Sequence, residues 1–330
     1  MSAVPVQVLC HYKAADRIET AVRARFDTAV QLVRWNPETG LELDGAPVEP
    51  GAIQPRVAWF SGDALGGETQ HAISSLVAGL PSIEWVQSAN AGLDHPGYAP
   101  LVERGIRFSK SSAQSIPIAE YVLAYALEHV QDLKTRRDAQ AAGEWRAHRF
   151  GELWRSTWLI VGYGHIGRNV AKRAKAFDCH TIVARHSPRA DEFTDEAIGQ
   201  EQILSRLPEA DFIVLACPAT AATEGMVNAA FIEACRDTAV LINVARGALV
   251  DEQALLAGLD RGQPARAVLD VFATEPLPSD SPMWQHPRVT VTAHTSNAGS
   301  GTRPRGDTLF LTNLERFLAG QEPTDVVRFD

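Results

Sequence analysis

Three side chains in the second half of the chain have the chemistry needed to reduce a carbonyl group. They are Arg246, Glu275 and His294. A guanidinium can hold a substrate carboxylate through two hydrogen bonds and polarise the neighbouring carbonyl. A histidine can protonate the developing alkoxide at neutral pH, and a carboxylate beside it favours the charged ring and orients it. The set therefore indicates hydride transfer to a 2-keto acid.

The three residues share a position, because each one follows an apolar run with the pattern of a β-strand. The runs cover residues 239–243, 265–269 and 289–292. Ligands of open α/β sheets bind beyond the carboxyl ends of the strands, so we expect all three side chains at one sheet edge. Taken singly, they are typical of a surface charge, a turn and a structural histidine. Their order and their strand-end positions favour the catalytic interpretation.

A glycine-rich turn after an earlier apolar run predicts a dinucleotide site at the same edge. Residues 157–161 form the run, and a helical pattern follows over residues 165–177. The first glycine permits the turn, the second lets the backbone approach a pyrophosphate, and the third allows the helix to pack on the strand. The phosphates would lie at the N-terminus of that helix. The predicted cofactor-binding residues of this turn are Gly162, Tyr163, Gly164, His165, Ile166 and Gly167.

The end of the next predicted strand, residues 180–184, favours NADP over NAD. An NAD-binding fold usually places Asp or Glu about 20 residues beyond the glycines, where it binds the ribose 2′-hydroxyl. Here no acidic residue separates Ala184 from Asp191. The predicted cofactor-binding residues at this position are Arg185, His186, Ser187 and Arg189. Cations and a hydroxyl suit the 2′-phosphate of NADP(H), with NAD(H) as the second candidate and a solvated basic turn as the alternative interpretation.

The alternation of apolar runs and helical patterns predicts an α/β fold with two Rossmann-like or flavodoxin-like domains, each built around a parallel sheet. Further strands are predicted at residues 6–10, 29–33, 57–60, 84–88 and 211–216. Helices are predicted at residues 68–78, 100–104, 116–142, 202–207, 229–234, 252–259 and 308–318. If the terminal helix returns to the first domain, the chain crosses twice between the domains, and a ligand cleft is expected between them.

The composition argues against several classes of protein. With 330 residues, 45% of them hydrophobic and 22% charged, the chain is long enough for two globular domains. A net charge of −9 without a block of like charges argues against nucleic acid or an anionic membrane as a partner. Four scattered cysteines form no Cys-x-x-Cys pair, which argues against a disulfide framework or a metal site and favours the cytoplasm. Neither a signal peptide nor a membrane-spanning run is expected.

Several of these segments resemble the D-2-hydroxyacid dehydrogenase family, in particular its glyoxylate/hydroxypyruvate reductases. The similarity covers about residues 85–320. Residues 243–251 resemble the family's arginine signature, and residues 270–278 resemble its glutamate signature. The segment 217–223 resembles the family's Pro-x-Thr segment on the cofactor side.

This resemblance implies roles for the residues and for the domains. It implies Arg246 as substrate binder, Glu275 as carboxylate partner and His294 as acid/base. It adds to the cofactor-binding set Cys217, Pro218, Thr223, Val244, Ala245, Asp270 and His294. It also implies that residues 1–114 and 297–330 form a discontinuous substrate domain, into which an NAD(P)-binding Rossmann domain, residues 115–296, is inserted. A homodimer formed through the cofactor domain is implied as well.

A further segment, residues 88–94, is similar to the family's substrate-domain loop, whose backbone N–H groups hold the substrate carboxylate. The similarity implies Asn90, Ala91 and Gly92 as substrate-binding residues, with the glycine allowing a close approach. The chain departs from the family at Ala293, where a proline usually precedes the histidine.

The expected activity is the NAD(P)H-dependent reduction of a small 2-keto acid to the D-2-hydroxy acid, with the proton supplied by His294. The D configuration follows from the resemblance alone. Two alternatives stay open at this point. One is a dehydrogenase for another small anion, such as phosphite or formate, and the other is a cofactor-sensing scaffold without enzymatic activity.

Overall fold

The computed structural model describes residues 4–93 and 95–327. The chain divides into two compact units. The terminal unit consists of Met1–Ala113 and Ser300–Asp330, and the central unit consists of Gln114–Gly299. The central unit is therefore inserted between the two segments of the terminal unit.

Both units are built from strands and helices that alternate along much of the chain. The strands are β1 Val6–His11, β2 Val30–Asn36, β3 Gly40–Leu43, β4 Ala46–Val48, β5 Val57–Phe60, β6 Trp85–Ser88, β7 Arg107–Ser109, β8 Thr157–Val161, β9 His180–Ala184, β10 Glu196–Ile198, β11 Phe212–Leu215, β12 Val240–Asn243, β13 Arg266–Leu269, β14 Val289–Val291 and β15 Val326–Val327. The helices are α1 Tyr12–Phe26, α2 Gly67–Ala78, α3 Ala99–Glu103, α4 Ser115–Gln131, α5 Leu133–Ala141, α6 His165–Lys175, α7 Ile203–Arg206, α8 Ala229–Ala234, α9 Glu252–Arg261 and α10 Thr302–Leu318.

The sheet of the terminal unit has the strand order β15-β7-β6-β5-β1-β2-β3-β4. Its five central strands are parallel, whereas β3, β4 and β15 pair antiparallel at the two edges. The C-terminal helix α10 packs on this sheet through Phe310, whose ring stacks on Trp59 at 4.4 Å between centroids. Phe310 and Phe317 also stack on Trp85, so one aromatic cluster joins the last helix to strands from the first third of the chain.

The sheet of the central unit has the strand order β10-β9-β8-β11-β12-β13-β14, and every pair is parallel. This is the doubly wound order 3-2-1-4-5-6 with one additional strand. Its inner strands are buried on both faces, which is why they appear in the sequence as mostly apolar runs. All carboxyl ends lie at one edge, and the topological switch point falls between β8 and β11. The predicted α/β fold with parallel sheets is confirmed.

The predicted long helix over residues 116–142 is two helices, α4 and α5. Asp132 separates them with left-handed backbone angles, φ 46° and ψ 54°. Its N–H donates to carbonyls at the end of α4, and its side chain accepts from the N–H of Thr135 at the start of α5. Aspartate is among the residues that tolerate this conformation, so a single residue ends one helix and starts the next.

Other differences concern elements with a weak local pattern. The sequence-based prediction missed α1, the β3–β4 hairpin and the short strands β7, β10 and β15. Helix α10 begins at Thr302 rather than at residue 308, because Pro304 lies in its first turn, where proline is tolerated. The predicted helix 202–207 is reduced to the four residues of α7.

None of the helices in the described ranges is both long and apolar enough to span a membrane. Within residues 4–93 and 95–327, no cluster of three or more His, Cys, Asp and Glu side chains is arranged to hold a metal ion. All four cysteines are free and buried. Burial raises the pKa of the Cys217 thiol to about 11, so this thiol is not activated as a nucleophile.

Candidate active site

The glycine-rich turn between β8 and α6 has the backbone that its sequence indicates. Gly162 has φ +97°, and a Cβ there would lie 2.6 Å from the backbone between Ala216 and Cys217. A Cβ on Gly167 would lie 2.0 Å from the carbonyl oxygen of Gly162. A Cβ on Gly164, in contrast, would have no heavy atom within 4 Å. The packing of the chain thus requires glycine at two of the three positions, and Gly164 leaves exposed backbone at the start of α6.

The residues after β9 present cationic groups, and their first acidic residue is engaged within the chain. Arg185 is half-buried, and its guanidinium donates to the carbonyl oxygen of Arg189 at 3.3 Å. The carboxylate of Asp191 accepts from the hydroxyl of Tyr163 at 2.6 Å and from Nε of Arg168 at 2.9 Å. The predicted residues His186, Ser187 and Arg189 are exposed.

The loop after β11 is stabilised by Thr223. Its buried hydroxyl donates to the carbonyl oxygen of Pro218 at 2.8 Å and accepts from the N–H of Thr220 at 2.9 Å. These two bonds shape the Cys217–Pro218 turn, which leaves the sheet beside the glycine turn because β8 and β11 are neighbours.

The turn that carries Arg246 is shaped by Asn243, the last residue of β12. The fully buried Asn243 amide accepts from the N–H of Ala245 at 3.0 Å and donates to the carbonyl oxygen of Arg246 at 2.9 Å. Arg246 is half-buried, and its guanidinium donates to the carbonyl oxygen of Ala245 at 2.7 Å. Val244 and Ala245 are buried within the turn. The sequence-based site set omitted Asn243, although asparagine at a strand end is a common signal for such a side-chain turn.

The loop after β12 lies directly against the loop after β13. A Cβ on Gly247 would lie 1.8 Å from the carbonyl carbon of Phe272, so only glycine fits between the two backbones. The N–H of Ala273 also donates to Glu252, the first residue of α9, at 2.9 Å. This contact sets the Arg246 turn against the segment that leads to Glu275.

Glu275 and His294 form a directly hydrogen-bonded pair at the strand ends. His294 Nδ1 lies 2.8 Å from Glu275 Oε2, and the N–H of Phe272 donates to Glu275 Oε1 at 2.9 Å. An ionised carboxylate only accepts, so Nδ1 carries the proton of this bond, and Nε2 is the nitrogen left to exchange a proton with a ligand. The side chains are 35% and 43% exposed, so a ligand can reach the imidazole.

The turn that carries His294 is organised by Asp270, which is fully buried. Asp270 Oδ1 accepts from the Thr292 hydroxyl at 2.6 Å and from the N–H of Thr295 at 2.9 Å, and Oδ2 accepts from the N–H of Ser296 at 3.0 Å. The N–H of His294 donates to the Asp270 carbonyl oxygen at 2.8 Å. His294 itself has φ +53°, a strained conformation for a non-glycine residue that its surroundings must hold.

A cavity of about 390 Å³ opens beside the Glu275–His294 pair. Leu277, Trp284 and Val291 contribute apolar side chains to its wall. Apolar walls reduce the local dielectric constant, which strengthens the electrostatic effect of the pair on a bound ligand.

The predicted substrate-binding residues Asn90, Ala91 and Gly92 follow β6 in the terminal unit and are half-buried. The N–H of Asn90 donates to the Ser88 hydroxyl at 3.0 Å, and its carbonyl oxygen accepts from the N–H of Ser111 at 2.8 Å. Asp94, which ends the segment 88–94 of the sequence analysis, lies outside the described residues.

Comparison with known proteins identifies the family. Residues 123–296 match the family model described as D-isomer specific 2-hydroxyacid dehydrogenase, NAD binding domain. The chain belongs to this family of oxidoreductases. The family resemblance inferred from the arginine and glutamate signatures is thereby confirmed, and the matched NAD-binding domain lies within the central unit.

The dehydrogenase is similar to curated relatives and to solved structures along most of its length. Glyoxylate/hydroxypyruvate reductase A of Yersinia enterocolitica is 30% identical over 282 residues, which cover 79% of this chain and 89% of that protein. A D-isomer specific 2-hydroxyacid dehydrogenase family protein of Aeromonas salmonicida has a TM-score of 0.79 at 26% identity and covers 98% of this chain and 99% of its own. The D-isomer specific 2-hydroxyacid dehydrogenase of Xanthobacter autotrophicus in complex with NADPH and MES has a TM-score of 0.77 at 26% identity, with coverage of 99% and 98%.

In this dehydrogenase, the central unit brings together most of the residues singled out in the sequence. Glu275 and His294 are in contact, Asp270 holds the turn of His294, and the Arg246 loop packs against the Glu275 loop. The sequence-based site set lacked Tyr121, Thr292 and the N–H of Phe272, all of which support this arrangement. The roles of the individual residues in binding and catalysis stay predictions.

Proposed function

We propose that this dehydrogenase reduces a small 2-keto acid to the D-2-hydroxy acid, with NADPH as the preferred reductant. The observation that carries the proposal is the Glu275–His294 hydrogen bond of 2.8 Å, with the second carboxylate oxygen held by the N–H of Phe272. A carboxylate fixed in this way stabilises an imidazolium and orients Nε2 outward, as a proton donor for a reduced carbonyl requires.

The proposed mechanism assigns one task to each group. Arg246 binds the substrate carboxylate through its guanidinium and polarises the adjacent carbonyl. In the terminal unit, the proposed substrate-binding donors are the backbone N–H groups of Ala91 and Gly92, because the N–H of Asn90 donates to Ser88. The reduced nicotinamide, when bound, supplies the hydride to the carbonyl carbon. His294 Nε2 gives its proton to the carbonyl oxygen, and Glu275 stabilises the imidazolium until that transfer. The balance is one hydride and one proton added to one C=O bond.

The chain around the glycine turn fits a dinucleotide. Since no packing contact requires glycine at position 164, its exposed backbone is consistent with a close approach by a pyrophosphate at the start of α6. The groups proposed to line the rest of the cofactor site are the turn at Cys217 and Pro218, Thr223, Val244, Ala245, the carboxylate of Asp270, and His294.

The preference for NADPH is supported by the end of β9. Asp191, the first acidic residue after the strand, is bound by Tyr163 and Arg168 rather than left to accept from a ribose hydroxyl. Arg185, Ser187 and Arg189 offer two cations and a hydroxyl for a 2′-phosphate. The relative from Xanthobacter autotrophicus was crystallised with NADPH.

The proposal is tested by steady-state kinetics with both cofactors on glyoxylate, hydroxypyruvate, pyruvate and phenylpyruvate. We expect oxidation of NADPH with at least one of them. Glyoxylate and hydroxypyruvate are tested first because a relative carries the name glyoxylate/hydroxypyruvate reductase A. The kcat/KM for NADPH should exceed that for NADH by about tenfold or more, since charge-assisted hydrogen bonds to the 2′-phosphate are lost with NADH.

The variant Arg185→Ala should remove most of this preference by lowering kcat/KM for NADPH while leaving that for NADH nearly unchanged. Arg236→Ala is the matched control, because Arg236 pairs with Asp211 at the opposite edge of the sheet. A wild-type preference for NADH would refute the assignment of NADPH. Firm binding of NADPH without turnover of any tested acid would favour the scaffold alternative.

The proposal extends to a homodimer formed through the central unit and to a cytoplasmic location. The segment 142–154 carries exposed aromatic side chains, Trp145, Phe150 and Trp154, of the kind that a second copy can cover. Four unpaired cysteines fit a reducing compartment.

A further inference from the structure

We propose that Tyr121 is a positioning residue for His294 and acts on it through Thr292 and Asp270. The inference rests on the proposed function insofar as it takes His294 as the proton donor. Tyr121 lies on α4, far from the catalytic segments in the sequence, and its hydroxyl lies 2.7 Å from Thr292 Oγ1. We call the hydrogen-bonded residues Tyr121, Thr292 and Asp270 the relay.

The direction of each hydrogen bond in the relay follows from its partners. The Thr292 hydroxyl donates its single proton to Asp270 Oδ1 at 2.6 Å. Tyr121 must therefore be the donor to Thr292, because Thr292 Oγ1 has only lone pairs left to offer. Burial raises the pKa of Tyr121, so its hydroxyl keeps its proton and remains a donor throughout the neutral and mildly alkaline range.

The relay ends on the carboxylate that holds the His294 turn. The Asp270 carboxylate accepts from the Thr292 hydroxyl, which precedes His294, and from the N–H groups of Thr295 and Ser296, which follow it. The Asp270 carbonyl oxygen accepts from the N–H of His294. His294 adopts φ +53°, which persists only where neighbouring groups enforce it. Ala293, the preceding residue, lacks the ring of proline that would restrict this backbone. The relay supplies a restraint that a proline would otherwise contribute.

The charge state of His294 is coupled to this geometry through its ionisable neighbours. Glu275 faces Nδ1, the Asp270 carboxylate binds the backbone of the turn, and α4 brings Tyr121 to Thr292 with Tyr125 beside it. If Thr292 loses its donor, its hydroxyl can leave Asp270, and the turn can move His294 away from Glu275. The imidazolium then loses stabilisation, and a smaller share of the enzyme carries the catalytic proton at a given pH.

The first test compares Tyr121→Phe with Tyr125→Phe in the full-length enzyme. Tyr125 lies one turn along α4, its ring is 4.6 Å from that of Tyr121, and it is not part of the relay. Tyr121→Phe should lower kcat for 2-keto acid reduction by about threefold to tenfold, with little change in KM, as expected from the loss of one hydrogen bond. It should also move the alkaline limb of the kcat/KM profile to lower pH, whereas Tyr125→Phe should do neither.

The second test asks whether the effect passes through Thr292. Thr292→Val should reproduce the lower kcat and the shifted alkaline limb of Tyr121→Phe. Thr292→Ser retains a hydroxyl, so its kcat should be higher than that of Thr292→Val. The double variant Tyr121→Phe/Thr292→Val should be no worse than Thr292→Val, because both changes break the same relay. Additive losses in the double variant would overturn the proposal.

An NMR titration of the His294 ring, without substrate, separates failure of this inference from failure of the proposed function. A shift of the titration to lower pH in Tyr121→Phe, relative to Tyr125→Phe, supports positioning whether or not His294 is the proton donor. Identical titrations and identical pH profiles in the two variants would overturn the role of Tyr121 and leave the function of the enzyme in place.

Discussion

The imidazole of His294 differs from that of His180 in its position on the sheet and not in having a carboxylate partner. His180 also hydrogen-bonds a carboxylate, with Nε2 2.9 Å from Glu196 Oε1, but it begins β9 and so lies at the opposite edge of the sheet. The Glu275–His294 pair instead lies at the carboxyl ends, where ligands of such sheets bind. At the residue scale, position at the sheet edge, more than pairing itself, marks the catalytic candidate.

This difference gives a direct test of the proton donor. His294→Ala should lower kcat for 2-keto acid reduction by about 10²- to 10⁴-fold, because the alkoxide loses its positioned acid. The dissociation constant for NADPH, measured by fluorescence titration, should change little. His180→Ala removes a histidine with a carboxylate hydrogen bond of similar length, 2.9 Å, and should keep nearly full kcat. A kcat within twofold of wild type in His294→Ala would rule out the assigned role.

At the scale of elements, the turn between β8 and α6 contains glycines that differ in whether packing within the chain requires them. Gly167 is required by packing, because a Cβ there would lie 2.0 Å from the carbonyl oxygen of Gly162. Gly164 has an ordinary φ of −84° and open space around its Cβ direction, so packing within the chain does not require glycine there. If glycine is needed at position 164, the reason is therefore the space that a bound ligand occupies.

Two alanine variants distinguish a glycine required for packing from a glycine required for ligand binding. Gly167→Ala should destabilise the fold by about 1–3 kcal/mol through overpacking, as measured by urea unfolding. Gly164→Ala should leave the free energy of unfolding within about 0.5 kcal/mol of wild type. It should still weaken NADPH binding by about tenfold, since a methyl group then occupies the approach of the pyrophosphate. Unchanged NADPH affinity in Gly164→Ala would contradict a close contact at this position.

At the scale of the whole molecule, an ion cluster joins distant parts of the chain within the terminal unit. Arg17 of α1 forms a bidentate contact with Asp307 of α10, at 3.0 and 3.3 Å, and lies 2.7 Å from Asp63 after β5. Asp63 is nearly buried, with 6% of its side chain exposed. Burial alone would raise the pKa of Asp63, but the hydrogen bond and the charge of Arg17 outweigh it, so the pKa lies below its usual value.

The cluster makes stability depend on pH in a predictable direction. A carboxyl group with a lowered pKa in the folded state stabilises the fold above its unfolded pKa of about 3.9 and loses this effect as pH falls through the folded value. Arg17→Ala should therefore reduce the free energy of unfolding by about 2 kcal/mol at pH 7, and clearly less near pH 3. Arg23→Ala, which breaks only the exposed pair with Glu19 on the same helix, should cost about 0.5 kcal/mol or less. Equal losses for the two variants at pH 7 would contradict the cluster's role.

The sequence by itself determined the features that depend on a local pattern. The inner strands of the central unit are buried on both faces, so β8, β9 and β12 appeared as mostly apolar runs with correct positions to within a residue. The strand-end positions of Arg246, Glu275 and His294 followed from the runs that form β12, β13 and β14, because parallel strands end at one edge. The signatures around Arg246 and Glu275 likewise indicated the family, and the family model confirmed it.

Only the tertiary structure decided which distant groups meet. No local pattern relates Tyr121 to Thr292, or Asp270 to the N–H groups of Thr295 and Ser296, because such bonds depend on the register of neighbouring strands and on helix packing. The same holds for the edge strands β4 and β15, which are too short to show a period and form only where a neighbouring strand offers hydrogen bonds. Residue types and spacing thus predicted the chemistry, while long-range hydrogen bonds and packing set the positions of the candidate residues.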